Sequence, residues 1–286
     1  MKYRIALIAL VSLLVSVTSS AEGTPTLERI KTSETIRIGY RESEPPMSFV
    51  NKDNQPIGYS IELCLQIVKA VKSALKNPNI ATRYVPVTAS NRFEALRNNS
   101  IDILCGSTTK TLSRSELVDF TQLTFITGAA FLSLKSAKVD GISDLQGKKI
   151  AVVKDTTTIT VLEKTLKKEG SDAQVIVVDS ASEGMDLVAK GEVAAFSSDQ
   201  IVLIGLVVTH KDGKKFAVTD KVFSFEPFAL AVRQSDPEFR LLANRVLSRL
   251  SRSNDITQVY RKWFGQYITE VPALLEALYI LNATPE

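Results

Sequence analysis

The stretch CGSTTKTLSR, residues 105–114, combines a glycine, a run of hydroxyl side chains and one arginine directly after an apolar segment. Ser107, Thr108 and Thr109 follow the glycine, and Arg114 comes shortly after them. Exposed main-chain N–H groups, hydroxyl groups and a guanidinium all donate hydrogen bonds to anions. The pattern therefore indicates a site for a carboxylate or a similar anion.

Two other chemistries do not fit this stretch. A serine nucleophile needs a nearby base, and the single histidine, His210, lies in the polar segment VVTHKDGKKF, away from any predicted strand end. The phosphate-loop pattern GxxxxGK[ST] is absent because no lysine follows at the required position. One histidine and two cysteines are also a poor basis for a zinc site, so we expect no metal and no cofactor.

The N-terminus has the pattern of a secretory signal peptide over residues 1–21. Two basic residues precede the apolar residues 5–17, and the small residues 19–21 follow as a cleavage site. A membrane anchor is the alternative, but this apolar segment is short for crossing a bilayer. We expect a periplasmic or secreted protein whose mature chain starts near Glu22.

The mature chain is close to neutral. Removing Lys2 and Arg4 lowers the number of basic residues from 35 to 33, against 31 acidic ones. A surface of this kind does not suggest binding to nucleic acid. The length of the chain, with 44% hydrophobic residues, indicates one large or two medium globular domains.

The first half of the chain alternates between strand and helix patterns. Strands are predicted at residues 35–40, 81–87 and 100–105, with helices from Ser60, as the N-cap, to residue 75 and over residues 92–97. Such alternation is typical of α/β proteins with parallel strands. These elements predict one compact α/β unit.

A second series of elements begins after residue 134. Strands are predicted at residues 148–153, 173–178 and 193–198, with helices over residues 158–168 and 183–190. The chain then closes with a strand at residues 228–233 and helices within residues 241–250 and 256–264. The two series predict two lobes, each with a mixed, mostly parallel sheet flanked by helices.

The predicted lobe boundaries make the first lobe discontinuous. It comprises residues 22–127 and 228–286, and the second lobe comprises residues 128–227. The segments CGSTTK and KDTTT both follow predicted strands, one in each lobe. Because ligand-contacting loops lie at strand ends in such sheets, we expect the two segments to face each other across a cleft.

The order of these motifs resembles the amino-acid-binding family of periplasmic solute-binding proteins, with the type II periplasmic binding fold. That family has a G-(S/M)-T motif followed by threonine, arginine and a DFS stretch, and here GSTT, Arg114 and LVDFTQLTF occur in that order. The resemblance extends over residues 30–268 through GYSIELCLQIVKAV, DLQGKKIAVV, GEVAAFSSD and VYRKWF.

Within that family the sequence is most similar to the glutamate/aspartate-binding branch. Members of this branch have the motifs CGSTTN, G-x-R-E-S and V-T-x-x-N-R. At the corresponding places this chain has CGSTTK, GYRES with Arg41 and VTASNR with Arg92. The resemblance implies that Arg114 holds an α-carboxylate, that Asp199 holds an α-ammonium, and that the other two arginines meet a side-chain carboxylate. The complete implied ligand-binding set is Arg41, Arg92, Ser107, Thr108, Thr109, Arg114, Thr156, Thr157 and Asp199.

This chain departs from the branch on the side of the distal carboxylate. Ala89 replaces a serine, Ala181 replaces an expected histidine, and an expected aromatic residue is Met47 or is displaced to Phe49. Each lost donor to a charged partner is worth about 0.5 to 3 kcal/mol. Another dicarboxylate, or an amide such as glutamine, therefore remains an alternative ligand.

Cys64 and Cys105 are the only cysteines in the chain. Some members of the branch carry cysteines at both places, and an exported protein meets an oxidising compartment. The resemblance implies a disulfide between them in the first lobe, and two buried thiols are the alternative.

The function implied by the resemblance is that of the substrate-binding component of an amino-acid ABC transporter. Closure at a hinge near residues 127–131 and 225–228 would present the ligand to an inner-membrane permease. We expect a monomer without enzymatic activity.

The alternatives are a dehydratase-like enzyme on the same scaffold and a ligand-sensing domain. An enzyme would need a general acid, for which Glu42, Glu183 and Glu226 are candidates. The amphipathic residues 271–283 are expected to pack on the first lobe or to contact a partner.

Overall fold

The computed structural model describes residues 24–268 and 270–286, so the predicted signal peptide lies outside the described residues. The strands, numbered along the chain, are β1 (Thr35–Tyr40), β2 (Ser43–Glu44), β3 (Ser48–Val50), β4 (Pro56–Ile57), β5 (Ala81–Pro86), β6 (Ile103–Cys105), β7 (Asp119–Thr127), β8 (Ala129–Leu134), β9 (Lys149–Val153), β10 (Gln174–Val178), β11 (Ala195–Asp199), β12 (Phe216–Val218) and β13 (Glu226–Val232). The helices are α1 (Thr26–Ser33), α2 (Tyr59–Ala74), α3 (Arg92–Arg97), α4 (Leu112–Ser115), α5 (Thr157–Lys168), α6 (Ala181–Ala189), α7 (Gln200–Thr209), α8 (Pro237–Arg252), α9 (Asp255–Phe264) and α10 (Ala273–Asn282).

Two five-stranded sheets dominate the structure. The first has the order β5-β1-β6-β13-β7 and the second the order β10-β9-β11-β8-β12. In each sheet the first three strands run parallel and the remaining pairings are antiparallel. We call each sheet with its flanking helices a lobe. The molecule thus has the predicted two-lobed α/β fold with mixed sheets. The sheets are less parallel than predicted: only half of the strand pairings in each sheet are parallel, because β13 in the first and β8 in the second run antiparallel to their neighbours.

The chain crosses between the lobes at two adjacent points. Strand β7 ends at Thr127 in the first sheet, and β8 begins in the second sheet two residues later. On the return, Glu226 at the start of β13 pairs with Thr127. A side chain at Gly128 would lie 2.3 Å from the carbonyl oxygen of Ser224, so glycine permits the two crossings to run side by side. The exact residues at which one lobe ends and the other begins, predicted near 127 and 228, remain a prediction.

Helix α2 begins earlier than the sequence suggested, and Ser60 is not its N-cap. Gly58 is the N-cap residue, with φ of 136°, and a Cβ there would lie 2.4 Å from the carbonyl oxygen of Met47. The hydroxyl of Ser60 instead donates a 2.9 Å hydrogen bond to the carbonyl oxygen of Gly106. The serine therefore ties α2 to the loop after β6, which is a tertiary role that local pattern does not reveal.

A disulfide joins Cys64 on α2 to Cys105 at the end of β6, as the resemblance implied. The two Cα atoms are 6.4 Å apart, and both residues are fully buried. The bond lies directly before the glycine and hydroxyl residues of the candidate anion site. It therefore links that loop covalently to the helix behind it.

The C-terminal helix α10 packs on the first lobe, as predicted. The hydroxyl groups of Tyr279 and Tyr59 are 3.0 Å apart, and the side-chain amide of Asn282 donates to the carbonyl oxygen of Leu123 at 2.6 Å. Within the described part of the chain, no helix combines the length and apolar character needed to cross a membrane.

Candidate functional site

The ends of neighbouring parallel strands bring the predicted anion-binding residues together. Tyr40 on β1 pairs with Cys105 on β6, so Arg41 and the CGSTT loop emerge side by side from the first sheet. In the second sheet, β9 precedes the DTTT segment and the adjacent β11 ends at Asp199. Carboxyl ends of parallel strands are where ligands bind in open α/β sheets. The two groups of residues face each other across the cleft between the lobes.

Arg92 is a buried cation with an unused donor. It is 3% exposed at the first position of α3, and its guanidinium lies 4.3 Å from the ring centre of Phe93. One terminal nitrogen, Nη2, donates to the carbonyl oxygen of Asp155 at 3.2 Å, whereas Nη1 is buried without a hydrogen-bond partner among the described residues. Burial, followed by the positive charges of Arg114 and Arg41, lowers the pKa of Arg92 to about 9. An anion placed here would relieve both the desolvation and the crowding of like charges.

Arg114 lies beside the same phenylalanine. It belongs to the short helix α4, whose N-cap hydroxyl, from Thr111, accepts a hydrogen bond from the N–H of Arg114 at 3.1 Å. Its Nη1 donates to the carbonyl oxygen of Thr109 at 2.9 Å. Burial lowers the pKa of Arg114, while the carboxylates of Glu226 and Asp199 act in the opposite direction. The guanidinium is thus held at the cleft by its own loop.

Arg41 is already paired with a carboxylate of the protein. Its Nη1 lies 2.8 Å from Oε1 of Glu44, and both side chains are largely buried. The other oxygen of Glu44, Oε2, accepts a 2.5 Å hydrogen bond from the hydroxyl of Ser107. Two predicted ligand-binding side chains therefore share one internal carboxylate, which the sequence analysis did not assign.

Asp199 supplies a buried carboxylate on the other side of the cleft. It is 9% exposed, and its Oδ1 is buried without a hydrogen-bond partner. Burial raises the pKa of Asp199 well above its usual value, the carboxylates of Glu226 and Glu44 raise it further, and Arg114 opposes the shift. A ligand cation beside Oδ1 would stabilise the ionised form.

Glu226 joins hydroxyl groups from both lobes. Its Oε2 accepts hydrogen bonds from Thr109 of the first lobe at 2.6 Å and from Thr157 of the second at 2.7 Å. Its Oε1 accepts from Ser224 at 2.7 Å. With 1% of its surface exposed, Glu226 forms a buried bridge at the hinge side of the cleft.

Thr156 and Thr108 have structural contacts of their own. The hydroxyl of Thr156 caps α5 by accepting from the N–H of Ile159 at 3.4 Å and also donates to the carbonyl oxygen of Val153 at 2.7 Å. The first N–H groups of a helix have no partner within it and suit an anion. Thr108 is 2% exposed, and its main-chain carbonyl accepts from the N–H of Ala229 at 3.1 Å. At Thr156, the main-chain N–H groups at the start of α5 are therefore the part best suited to a ligand.

The lobes touch along the rim of the cleft. The hydroxyl of Ser90 in the first lobe donates a hydrogen bond to the carboxylate of Asp155 in the second. Nearby, α7 lies so close to the first lobe that a Cβ at Gly205 would be 2.1 Å from the carbonyl oxygen of Pro45. The arrangement is therefore a closed one.

Sequence reasoning missed several residues of this cleft. Glu44 and Asp155 were not selected, because an acidic residue in a polar loop usually lies on a solvated surface. The only available signal was the position of Glu44 three residues after Arg41. Of the three glutamates considered as general acids, Glu226 lies in the cleft, whereas Glu42 and Glu183 are exposed.

The residues that depart from the glutamate/aspartate pattern are buried and apolar. Ala89 and Ala181 are 2% and 3% exposed, and Met47 is fully buried in the core. None of these side chains carries a hydrogen-bond donor. These three positions therefore offer no side-chain hydrogen bond to a ligand.

Comparisons with known proteins agree with this architecture. The family model of bacterial extracellular solute-binding proteins, family 3, matches residues 36–266. An L-glutamate/L-aspartate-binding protein of Pseudomonas aeruginosa is 32% identical over 86% of this chain and 82% of its own. A glutamate/aspartate import solute-binding protein of Salmonella typhimurium is 29% identical over 84% of this chain and 79% of its own.

A solved structure is also similar to this chain. The crystal structure of an ancestral amino acid-binding protein, a precursor of cyclohexadienyl dehydratase, has a TM-score of 0.73 and 26% identity. The similarity covers 84% of this chain and 99% of that one.

Proposed function

Because the chain belongs to the bacterial extracellular solute-binding proteins, family 3, we propose that it is the substrate-binding component of an amino-acid ABC transporter. One observation carries the choice of ligand. Two buried polar atoms of opposite character, Nη1 of Arg92 and Oδ1 of Asp199, lack partners within the described protein. An amino acid with a polar side chain carries an ammonium group for Oδ1 of Asp199 and a side-chain oxygen for Nη1 of Arg92, so it can satisfy the two atoms at once.

The amino-acid end of the ligand lies between Arg114 and Asp199 in this proposal. The guanidinium of Arg114 and the N-terminal N–H groups of α5 bind the α-carboxylate, with Ser107, Thr108, Thr109, Thr156 and Thr157 around it. The carboxylate of Asp199 binds the α-ammonium. The hydrogen bonds from Thr109 and Thr157 to Glu226 support this arrangement because they hold the surrounding hydroxyl residues of both lobes in place.

The distal end of the ligand points toward Arg92 and Arg41 and is polar. The glutamate/aspartate-binding relatives support an acidic amino acid, and three arginines near one cleft suit such a ligand. Another polar amino acid or a dicarboxylate is the second candidate. It is favoured by the absence of donors at Ala89 and Ala181.

Binding without catalysis is the activity we propose. A dehydratase-like enzyme would need a general acid in the cleft. Glu226 is buried there, but both of its oxygens accept hydrogen bonds from hydroxyl groups that belong to the two lobes and the hinge. Its carboxylate therefore serves to hold the lobes together. The named relatives are binding proteins, which supports the same conclusion.

Transport across a membrane also requires a permease, which we propose is a separate protein. We propose that the mature protein acts as a monomer in the periplasm after export directed by residues 1–21, and that an inner-membrane permease recognises the closed form. The lobes, with boundaries near residues 127 and 228, would close around the ligand by hinge motion. Contacts made by the ligand to both lobes would favour the closed state through differential affinity.

A ligand screen tests this function. The mature protein, freed of bound ligand by unfolding and refolding, is heated with each of the amino acids and with several dicarboxylates. A ligand at about 100 times its Kd stabilises the folded protein by about 2.7 kcal/mol, which raises the thermal midpoint by several degrees. The shift should disappear in Arg114→Ala and persist in Arg97→Ala, whose side chain is exposed. If no amino acid raises the midpoint, the proposed function is wrong.

A further inference from the structure

Glu44 lies inside the cleft as a carboxylate that the proposed function does not use. It is 8% exposed, and both of its oxygens are engaged, one by Arg41 at 2.8 Å and one by Ser107 at 2.5 Å. A ligand carboxylate arriving at Arg41 would have to share the guanidinium with Glu44. A carboxylate of the protein therefore already occupies part of the site at which a ligand carboxylate would bind.

The position of Glu44 is held by the main chain around it. Glu44 belongs to β2 and pairs with Ser48 on β3, and its carbonyl oxygen accepts from the N–H of Met47 at 2.9 Å. The backbone of Gly106 lies against the ion pair, since a Cβ there would be 3.1 Å from Cγ of Arg41 and 3.8 Å from Oε2 of Glu44. These contacts make the ion pair a built feature of the cleft.

Arg92 contrasts with Arg41 in this respect. Its Nη1 has no partner, and its Nη2 reaches only a main-chain carbonyl. The distal group of a ligand is therefore met chiefly by Arg92. One guanidinium nitrogen can donate to the oxygen of an amide as well as to that of a carboxylate.

The formal charges of the cleft also favour a ligand with an uncharged side chain. When the ligand's ammonium lies beside ionised Asp199, the carboxylates of Glu44, Asp199 and Glu226 balance the three arginines, and Asp155 at the rim adds a further negative charge beside Arg92. An amino acid with an uncharged side chain preserves this balance. An acidic one adds a negative charge near Glu44, and a desolvated charge without its own partner is costly.

We propose that Glu44 determines the charge specificity of the cleft. By occupying Arg41, it reduces the advantage of a carboxylate over an amide at the distal end of the ligand. The protein then binds glutamate and glutamine, or aspartate and asparagine, with similar affinity. This inference rests on the proposed function, because it concerns the side chain of an amino acid bound in the same cleft.

The test compares a carboxylate ligand with its amide. Calorimetric titration of the ligand-free mature protein gives Kd for L-glutamate, L-glutamine, L-aspartate and L-asparagine. In the unmodified protein, the two members of at least one pair should bind within about tenfold of each other, a difference of at most about 1.4 kcal/mol. In Glu44→Gln, the affinity ratio should move at least about tenfold toward the acid. Glu42→Gln, which removes the same charge from an exposed side chain two residues away, should leave the ratio unchanged.

Several outcomes would overturn the inference while leaving the proposed function intact. The first is an unmodified protein in which the acid binds more than about tenfold more tightly than its amide in both pairs. The second is an affinity ratio that moves equally little in Glu44→Gln and Glu42→Gln. Glu44→Ser provides a smaller uncharged side chain if the glutamine variant does not fold, and the ratio in the unmodified protein is a test by itself. If none of the four ligands binds, the inference fails; if no amino acid at all binds, the proposed function fails with it.

Discussion

The guanidinium of Arg92 in the first lobe donates a 3.2 Å hydrogen bond to the main-chain carbonyl of Asp155 in the second. The side chain of Asp155 accepts a second bond across the cleft, from Ser90. Both contacts require closed lobes. A residue predicted to bind the ligand therefore also takes part in closure, so ligand binding and closure are coupled through the same few residues.

Replacing Ser90 with alanine should weaken ligand binding, although Ser90 contacts Asp155 of the other lobe and not the proposed ligand. The substitution removes one hydrogen bond that exists only in the closed form, worth about 0.5–1.5 kcal/mol, so Kd should rise roughly two- to tenfold. Ser100→Ala is the matched control, since that hydroxyl bonds only to Asn98 in the same lobe. Calorimetric titration measures both variants. Equal Kd values would mean that the Ser90 contact does not favour closure.

Gly205→Ala should hinder closure more strongly. A Cβ at this position would lie 2.1 Å from the carbonyl oxygen of Pro45 and 2.4 Å from its carbonyl carbon, and neither main-chain atom yields easily. Overpacking of this kind costs about 1–3 kcal/mol, which corresponds to a roughly five- to hundredfold loss of affinity. The clash lies between the lobes, so it does not affect the ligand-free open protein. Because alanine favours helix α7 by about 1 kcal/mol over glycine, the thermal midpoint of the ligand-free protein should rise by about 2–4 °C rather than fall.

Gly141→Ala serves as the control for this prediction, since nothing lies within 4 Å of the Cβ that it would add. Small-angle X-ray scattering with saturating ligand would show whether Gly205→Ala stays more extended than the unmodified protein. A variant that closes normally and binds with unchanged Kd would contradict the close approach of α7 to Pro45.

Ligand affinity should increase with pH because of Asp199. Burial in the closed form raises the pKa of this carboxyl, so the closed protein without a ligand retains a proton at pH values where the unfolded chain has already lost it. Asp199 therefore lowers the free energy of unfolding as pH rises from the usual aspartate pKa toward the raised one. A ligand ammonium favours the ionised carboxylate, so the ligand-induced rise in thermal midpoint should grow across the same window.

Thermal melts with and without ligand, from mildly acidic to mildly alkaline pH, measure this effect. Asp199→Asn should bind more weakly and lose the increase with pH, whereas Asp53→Asn, at an exposed loop position, should behave like the unmodified protein. A ligand-induced shift that is constant with pH would argue against contact between Asp199 and the ammonium.

Reducing the disulfide should destabilise the first lobe. Cys64 and Cys105 are 41 residues apart, and opening a loop of that length costs about 4 kcal/mol on the loop-entropy estimate. For a protein of this size the thermal midpoint should fall by roughly 8–16 °C. Calorimetry with and without reductant measures the change, and the double variant Cys64→Ala with Cys105→Ala should resemble the reduced protein. An unchanged midpoint, together with two free thiols in the unreduced native protein, would contradict the bond.

Much of the fold could be predicted because the relevant forces act along the chain. Strand β1 and helix α3 have the predicted bounds, and the other predicted elements lie within a few residues of their predictions. Several elements, among them β7, α1, α4 and α7, were not predicted. Alternation and helical periodicity record which side chains each element buries, and this information is local. Ser60 was misassigned as a cap because its hydroxyl bonds to Gly106, which is 46 residues away in sequence.

The candidate site was predictable in part. Arg41, Arg92 and Arg114 were found because they occupy recognisable motifs, and the structure brings all three to one cleft. Glu44 and Asp155 carried no comparable signal. Whether an acidic side chain faces water or an arginine depends on how loops from separate strands meet.

The sequence by itself determined the two-lobed α/β architecture, the disulfide partners and the concentration of arginines and hydroxyl groups at strand ends. Those features follow from residue type, from periodicity and from the resemblance of the motifs to a known family. Only the tertiary structure decided that Arg41 pairs with Glu44 while Nη1 of Arg92 lacks a partner. The physical reason is that the energy of a charge depends on burial and on neighbours within a few ångströms, and these are set by the packing of distant segments.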